Sequence, residues 1–234
     1  VGQDPSADVV IVEIGGTVGD IEGLPFLEAI RQFRKDAGHE NVLYVHVTLI
    51  ASVGPWSELK TKPTQHSVMK LREIGIQPDI LVCRSKVPVS DEMRDKLSLF
   101  CDVDREAVIQ ALDEGTLYRV PLALEDEGLA KLVCQKLRLE EREPDLADWR
   151  AMVETLEHPR RQATVAIVGK YTGNGDAYIS IAESLKHGGV ANEAGVKIIW
   201  IDSEELESQD VESVLGKADG IIVAGGFGGR GVEG

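Results

Sequence analysis

An acidic, glycine-rich segment near the N-terminus has the residue types of a site for a metal ion and phosphates. Residues 13–22 read EIGGTVGDIE, and they follow an apolar run, 9–14, that has the pattern of a buried parallel strand. Ligands of parallel sheets bind beyond the carboxyl ends of strands, and carboxylates such as Glu13, Asp20 and Glu22 suit Mg²⁺ beside substrate phosphates. A solvated acidic turn that ends the strand is the alternative interpretation.

A second segment combines cations with a helix start. Residues 60–66 read KTKPTQH, and its two lysines project to one side of an extended segment. Pro63 and Thr64 mark a helix N-terminus, where free N–H groups and the helix dipole favour an anion. The pattern indicates a phosphate cradle. A capped helix with two solvated lysines explains it equally well.

Two glycine patterns in the last third of the chain resemble nucleotide-binding motifs. Residues 169–171, GKY, resemble the end of a P-loop, but Tyr171 stands where a Mg²⁺-binding hydroxyl is needed. Residues 226–231, GFGGRG, match GxGxxG after a strand, which is a weak dinucleotide signal by itself. The alternative interpretation is a turn that exposes backbone N–H groups to an oxyanion, as acyl-transfer sites require.

Strands and helices alternate along the chain, which predicts βαβ units and parallel sheets. The predicted strands are 9–14, 41–50, 79–83, 165–168, 196–201 and 220–223. The predicted helices are 25–36, 64–74, 145–156, 177–187 and 204–215, and residues 91–139 are expected to be mostly helical with a break at 118–121.

Composition excludes several classes of protein. The 234 residues include 40 acidic and 25 basic side chains, a net charge of −15, so binding to a nucleic-acid backbone is disfavoured. No run of eighteen apolar residues is present, so the sequence predicts no membrane span. The three cysteines lie far apart with neither disulfide nor zinc spacing, which is typical of a reducing, cytoplasmic setting.

Taken together, these segments resemble the CTP synthase family. The similarity lies in residues 13–22, 60–68 and 225–234, in that order, and continues through 76–79, 83–85 and 185–189. The resemblance implies an α/β fold: a parallel-sheet P-loop-type amidoligase domain followed by the start of a class I glutamine amidotransferase domain. The implied boundaries are 1–142 for the synthetase domain, 143–162 for a linker and 163–234 for the glutaminase domain.

The resemblance also implies a reaction. The family converts UTP to CTP: ATP, with Mg²⁺, phosphorylates the uracil O4, and ammonia released from glutamine displaces that phosphate at C4. The implied partners are therefore UTP, CTP, ATP and glutamine, with GTP as a candidate activator, in a cytoplasmic homotetramer without nucleic acid or membrane.

The site residues come from the family motifs, position by position. Glu13 matches a Mg²⁺ ligand beside the ATP phosphates. The residues that match UTP/CTP-binding positions are Asp20, Ile21, Glu22, Lys60, Thr61, Lys62, Pro63, Thr64, Gln65 and Lys96. Leu112, Asp113 and Glu114 match a segment near the adenine of ATP, and Gly225 and Gly226 match the glutamine-binding turn.

The same resemblance predicts an inactive chain. The family's ATP phosphate loop and first Mg²⁺ ligand would precede Val1, and its glutaminase Cys, His and Glu would follow Gly234, so we expect neither half-reaction from this chain alone. A non-catalytic nucleotide-sensing or assembly module on the same fold is the alternative. A related amidoligase with another substrate is a third hypothesis, which the two lysines at 60 and 62 disfavour.

Overall fold

The chain folds into two compact units, each with its own sheet. The computed structural model describes residues 7–54, 58–173, 175–226 and 228–232. Its internal contacts divide the chain into Val1–Pro144 and Asp145–Gly234. Each unit contains a three-stranded parallel sheet, as the alternation of predicted elements requires. In the described part of the chain, no helix is long and apolar enough to cross a membrane.

The first unit is built on a sheet in the order β1-β4-β5, with a separate antiparallel pair, β2-β3. Its strands are β1 (Val45–Leu49), β2 (Ala51–Val53), β3 (Glu58–Lys60), β4 (Ile80–Ser85) and β5 (Val108–Leu112). Its helices are α1 (Leu24–Ala37), α2 (Lys62–Ile74), α3 (Asp91–Cys101), α4 (Val120–Asp126) and α5 (Leu129–Leu137).

Helices cover both faces of this sheet. Successive side chains of a strand point to opposite faces, so β4 sends Leu81 and Cys83 one way and Ile80 and Val82 the other. The first pair packs with residues of α2 and α3, such as Leu97, and the second with residues of α4 and α5. All four β4 side chains are buried, as expected for the central strand of a parallel sheet.

The second unit repeats this design with a sheet in the order β7-β6-β8. Its strands are β6 (Arg161–Gly169), β7 (Ala194–Asp202) and β8 (Gly220–Val223), and its helices are α6 (Ala147–Glu157), α7 (Ile179–Ala191), α8 (Glu205–Ser208), α9 (Val211–Leu215) and α10 (Gly229–Val232). The central strand β6 supplies Ala166 and Val168 to a core shared with Ile201.

Three sequence predictions are corrected. Residues 9–14 form no strand, because no described segment pairs with them, and Ile11 and Val12 are exposed. Residues 108–112 are a strand rather than part of a helical region, and they complete the sheet beside β4. The predicted helix 204–215 is two short helices, because Gln209 is extended and Asp210 caps α9 by accepting from the Ser213 N–H at 3.0 Å.

Candidate functional site

The carboxyl ends of the three parallel strands of the first unit meet at one edge of the sheet. After β1, the Ile50 N–H donates to the Arg84 carbonyl at 2.8 Å. After β5, the Asp113 N–H donates to the Ser85 carbonyl at 3.0 Å. Ligands of open parallel sheets bind at this edge, so the structure places the segments that follow β1 and β5 where a substrate would lie.

The lysine segment is anchored to this edge by side-chain hydrogen bonds. Thr64 is fully buried, and its hydroxyl lies 3.2 Å from that of Thr48 and donates to the Leu49 carbonyl at 3.4 Å. The buried Thr61 hydroxyl accepts from Gln65 Nε2 at 3.0 Å. Thr61 has helical backbone angles and its side chain does not cap α2, so N–H groups of the first turn remain for an anion.

The two lysines of the segment are exposed, but they differ in their surroundings. Lys60 ends β3 and forms an ion pair with Glu58. Lys62 begins α2 after Thr61, with Pro63 in the first helical turn, as the sequence predicts. The anchored threonines thus hold the backbone in place while the cationic side chains remain accessible to solvent.

A groove of about 580 Å³ runs along α2 and includes part of α3. Its lining residues are Lys62, Gln65, His66, Met69, Arg72 and Glu73 from α2 and Phe100 from α3. Phe100 is 55% exposed, which leaves its ring accessible. Lys96 is also exposed and precedes Phe100 by four residues, so both lie on one face of α3.

The acidic turn lies beside the same helix. Asp20 accepts from the Thr17 N–H at 2.9 Å, while Ile21 and Glu22 are exposed. A Cβ at Gly19, whose φ is +110°, would lie 3.8 Å from the Cγ of Lys70 on α2. Of the predicted nucleotide residues, those at 20–22 therefore follow a turn beside α2, and those at 60–65 lead into α2 and form its first turn.

Glu13 is an exposed carboxylate in an irregular segment. Within the described ranges, no group of three or more His, Cys, Asp or Glu side chains is placed to hold a metal ion by itself. A single carboxylate fits Mg²⁺ that arrives with substrate phosphates, since such sites supply one or two protein carboxylates. The assignment of Glu13 stays a prediction.

The adenine segment predicted at Leu112–Glu114 follows β5 at the same sheet edge. Arg84 reaches Asp113 at 3.5 Å, and Arg119 reaches Glu114 at 3.4 Å. The segment is separated from the end of β1 by the central strand β4. The sequence predictions for ATP and for the pyrimidine nucleotide thus occupy different positions along one edge.

The glycine turn of the second unit also lies at the carboxyl end of its sheet. The Ala224 N–H donates to the Val168 carbonyl at 2.8 Å, which fixes the chain as it leaves β8. Gly226 contacts Gly231 so closely that a Cβ on Gly231 would lie 3.3 Å from the Gly226 Cα. Gly225 is exposed. Phe227, Glu233 and Gly234 of the quoted motif lie outside the described residues.

The titratable side chains of Cys83, Cys101 and His46 are buried or partly buried in the first unit, and the two thiols are not reactive nucleophiles. Burial raises the pKa of the Cys83 thiol to about 12 and that of Cys101 to about 11, so neither forms a thiolate near neutral pH. His46 on β1 shares a hydrogen bond of 2.9 Å with Ser67 on α2. Burial also lowers the pKa of His46 below its ordinary value of 6.5, which favours the neutral ring.

Comparison with known proteins identifies both regions. Residues 1–139 match the family model for the CTP synthase N-terminus. The chain belongs to the CTP synthase family. Residues 175–234 match the model for class-I glutamine amidotransferase, so the order of domains in this CTP synthase family member agrees with the sequence prediction. The boundaries at 142 and 162 stay predictions.

Relatives named CTP synthase match almost the whole chain. The one from Methanocaldococcus jannaschii is 60% identical over 233 residues, covering 97% of this chain and 43% of the relative. Those from Pelotomaculum thermopropionicum and Ruminiclostridium cellulolyticum are 58% and 57% identical over 234 residues, covering all of this chain and 44% of each relative. The chain therefore spans less than half the length of these CTP synthases.

The structure also adds groove residues that the sequence prediction missed. Met69, Arg72 and Phe100 line the groove, and none of them belongs to a motif that the sequence analysis singled out. An aromatic or methionine side chain at helical spacing is typical of a core, so periodicity alone gives no sign of this role. What marks Phe100 as a groove residue is the exposure of its ring, and that exposure is known only from the packing of α2 and α3.

Proposed function

We propose that this chain is part of a glutamine-dependent CTP synthase and that its first unit binds the pyrimidine nucleoside triphosphate. The observation that carries the proposal is the groove along α2, in which Lys62 and Phe100 face the same space. A triphosphate needs cations and N–H donors, and a pyrimidine ring needs an apolar face. The groove offers both within one site.

The charges around the groove suit an anionic ligand. Lys62 and Arg72 contribute positive charge. The Arg72 guanidinium lies 4.0 Å from a carboxylate oxygen of Asp102, and the carboxylate of Glu73 is paired with Lys70 at 2.7 Å. Lys96 lies one helical turn from Phe100 and adds a further cation on that face. In a chain with a net charge of −15, such a local concentration of cations favours phosphate.

The remaining substrates are assigned to the other predicted segments. We infer that ATP lies near Leu112, Asp113 and Glu114, and that Glu13 would hold Mg²⁺, which when bound neutralises phosphate charge. The residues of this chain then bind and orient the two nucleotides so that the γ-phosphate of ATP approaches the uracil O4. Correct orientation of two bound reactants is itself a large part of such catalysis.

The second unit is assigned to glutamine. Gly225 and Gly226 would present backbone N–H groups to the substrate, since a turn without side chains lets a ligand approach the main chain. Ammonia released from glutamine would displace phosphate at C4 of the activated uracil. The relatives' length is consistent with a longer enzyme that completes this site.

Assembly, regulation and location belong to the same proposal. We infer a homotetramer that responds to GTP, and the exposed side chains of Phe26 and Phe33 on α1 are available for a subunit contact. A cytoplasmic location suits the free thiols of Cys83 and Cys101, which are buried and unpaired with each other.

Calorimetric titration of CTP, UTP and inorganic tripolyphosphate, each with Mg²⁺, tests the nucleotide site. We expect Lys60→Ala/Lys62→Ala to weaken the binding of all three ligands at least about tenfold, since charged hydrogen bonds are lost. We expect Phe100→Ala to weaken CTP and UTP by a similar factor and to leave tripolyphosphate unchanged, because only the nucleotides carry a ring.

The matched control is Lys131→Ala/Lys136→Ala, which removes the same charge from α5. If this control weakens binding as much as the variant at 60 and 62, the effect is one of net charge and the site is not the groove. Equal binding of CTP to the wild type and to the variant at 60 and 62 would contradict the proposal.

A further inference from the structure

Tyr178 of the second unit makes an unusually close contact with the end of the central strand. A Cβ placed on Gly169, the last residue of β6, would lie 2.5 Å from the Tyr178 hydroxyl oxygen. Only glycine fits at 169 while Tyr178 keeps this position. The hydroxyl of Tyr178 therefore rests directly on the backbone at the point where β6 ends.

The same hydroxyl ties down the segment that follows. The Tyr171 N–H donates to the Tyr178 hydroxyl oxygen at 3.2 Å. Because Tyr178 is only 7% exposed, water does not readily replace this bond. Tyr178 thus closes the turn of residues 169–171 with one side-chain hydrogen bond and one close packing contact.

The ring of Tyr178 is held from the other side by β7. It stacks on Trp200 with ring centroids 6.2 Å apart and planes 16° from parallel. A stacked aromatic pair favours this position of the Tyr178 ring and therefore of its hydroxyl. The Tyr178 ring also lies 6.4 Å from the Tyr171 ring, so Tyr178 contacts both β7 and the segment that its hydroxyl holds.

The segment that Tyr178 holds adjoins the glycine turn. A Cβ on Gly226 would lie 3.7 Å from the Cβ of Lys170, which is van der Waals contact. The two segments also leave neighbouring strands, since β6 pairs with β8 through Val168 and Val223. A displacement of the backbone at residue 170 would therefore change the surroundings of Gly226.

We propose that Tyr178 is a positioning residue for the glycine turn at Gly225 and Gly226. Its hydroxyl holds the Tyr171 N–H, and the preceding residue, Lys170, is a neighbour of Gly226. The assignment of glutamine to this turn rests on the proposed function, whereas the mechanical link between Tyr178 and the turn does not. Tyr178 itself is not assigned any contact with substrate.

The link is tested in this chain by NMR. In Tyr178→Phe we expect the Tyr171 amide to exchange with solvent about three- to tenfold faster, the change that the loss of one net hydrogen bond produces. We also expect the amide signals of Gly225 and Gly226 to shift. Faster exchange at Tyr171 with unchanged signals from both glycines would overturn the inference.

The matched control is Tyr44→Phe in the first unit. It removes the same chemical group and one hydrogen bond, which here the hydroxyl donates to the Ile30 carbonyl at 2.7 Å instead of accepting. We expect the signals of Gly225 and Gly226 to keep their wild-type positions in this control. Equal shifts in both variants would show a general loss of stability and would contradict the inference.

Kinetics of the full-length enzyme supply the functional readout. We expect Tyr178→Phe to raise KM for glutamine about three- to tenfold and to leave CTP formation from ammonia unchanged. An unchanged KM for glutamine in an enzyme that uses glutamine would count against the inference. If the wild type forms CTP from neither nitrogen source, the proposed function fails, and the NMR experiment still decides the role of Tyr178.

Discussion

The two units hold their candidate binding segments at the same place on a parallel sheet but by different means. In the first unit, side-chain hydroxyls such as those of Thr48 and Thr64 attach the segment to the strand β1. In the second unit, close approach at glycines is added to side-chain bonding, as where Gly226 approaches Gly231 and Gly169 approaches the Tyr178 hydroxyl. The polar anchor of the first unit leaves Lys60 and Lys62 exposed, whereas glycines in the second unit let backbone segments approach closely.

This difference predicts different vulnerabilities. The first unit should be sensitive to the loss of a hydroxyl, because a buried partner is left without its hydrogen bond. The second unit should be sensitive to a single added methyl group, because its elements approach at backbone distance. Substitutions in the two units can therefore test the comparison directly.

The largest effect is expected from an added methyl group in the second unit. A Cβ on Gly189 in α7 would lie 2.4 Å from the Ala194 carbonyl oxygen, whereas one on the adjacent Gly188 meets no atom within 4 Å. We expect Gly189→Ala to lower the free energy of unfolding by about 1–3 kcal/mol, and Gly188→Ala to raise it by about 0.5–1 kcal/mol through helix propensity. Urea denaturation measures both.

The pair of adjacent glycines is its own control, since both changes add one methyl group to one helix. Equal effects of the same sign at 188 and 189 would show that close approach of α7 to β7 does not limit this unit. In that case the proposed contrast between the two units would be wrong.

An intermediate effect is expected from the hydroxyl anchor of the first unit. We expect Thr64→Val to lower the free energy of unfolding by about 1–2 kcal/mol, because the carbonyl of Leu49 and the hydroxyl of Thr48 lose a partner. The double variant with Thr48→Val should cost less than the sum of the single changes, since the two hydroxyls share one bond.

Thr155→Val in α6 of the second unit provides the comparison. Its hydroxyl bonds to the Ala151 carbonyl on an exposed part of its own helix, so we expect a loss below about 0.5 kcal/mol. The proposed role of the Thr48 and Thr64 hydroxyls would be contradicted if the losses in unfolding free energy at 48 and 64 were fully additive. It would also be contradicted if Thr155→Val lowered that free energy as much as Thr64→Val.

The smallest effect is expected from pH, through His46 below α2. Its folded-state pKa is lowered by burial, so below about 6.5 the unfolded chain binds a proton that the folded chain resists. Stability is therefore retained above pH 6.5 and falls as pH decreases from 6.5 toward the lowered folded-state pKa. We expect His46→Gln to make the free energy of unfolding less dependent on pH between 7 and 5.

Repeating the measurement with His187→Gln in the second unit separates the buried ring from an exposed one. An unchanged pH dependence in the variant at 46, or the same reduction in both variants, would show that burial of His46 does not couple its titration to folding.

The sequence predictions of secondary structure were wrong where the outcome depends on which other segment a stretch of chain pairs with. Residues 108–112, VIQAL, were expected in a helical region, because a short apolar run has no periodicity that separates a strand from a buried helix. Residues 9–14 have the composition of a strand but form no ladder with any described segment. A strand exists only where another strand accepts its hydrogen bonds, and local sequence does not specify that partner.

Local chemistry, by contrast, was predictable at several points. Gly75 ends α2 in the left-handed conformation with φ +91°, and Pro63 lies in the first turn of that helix. Gly225 and Gly226 lie in the irregular segment that follows β8. Each of these follows from the φ and ψ preferences of one or two residues, so the sequence alone suffices.

The sequence by itself determined the family, the parallel α/β pattern and the segments that carry charge or glycine. Those properties depend on residue type and spacing along the chain, which no packing can change. Only the tertiary structure decided that Phe100 shares a groove with Lys62, and that Tyr178 reaches back to Gly169. Such contacts join residues that lie far apart in the chain or on different elements, and their distances are fixed by how helices pack on the sheet.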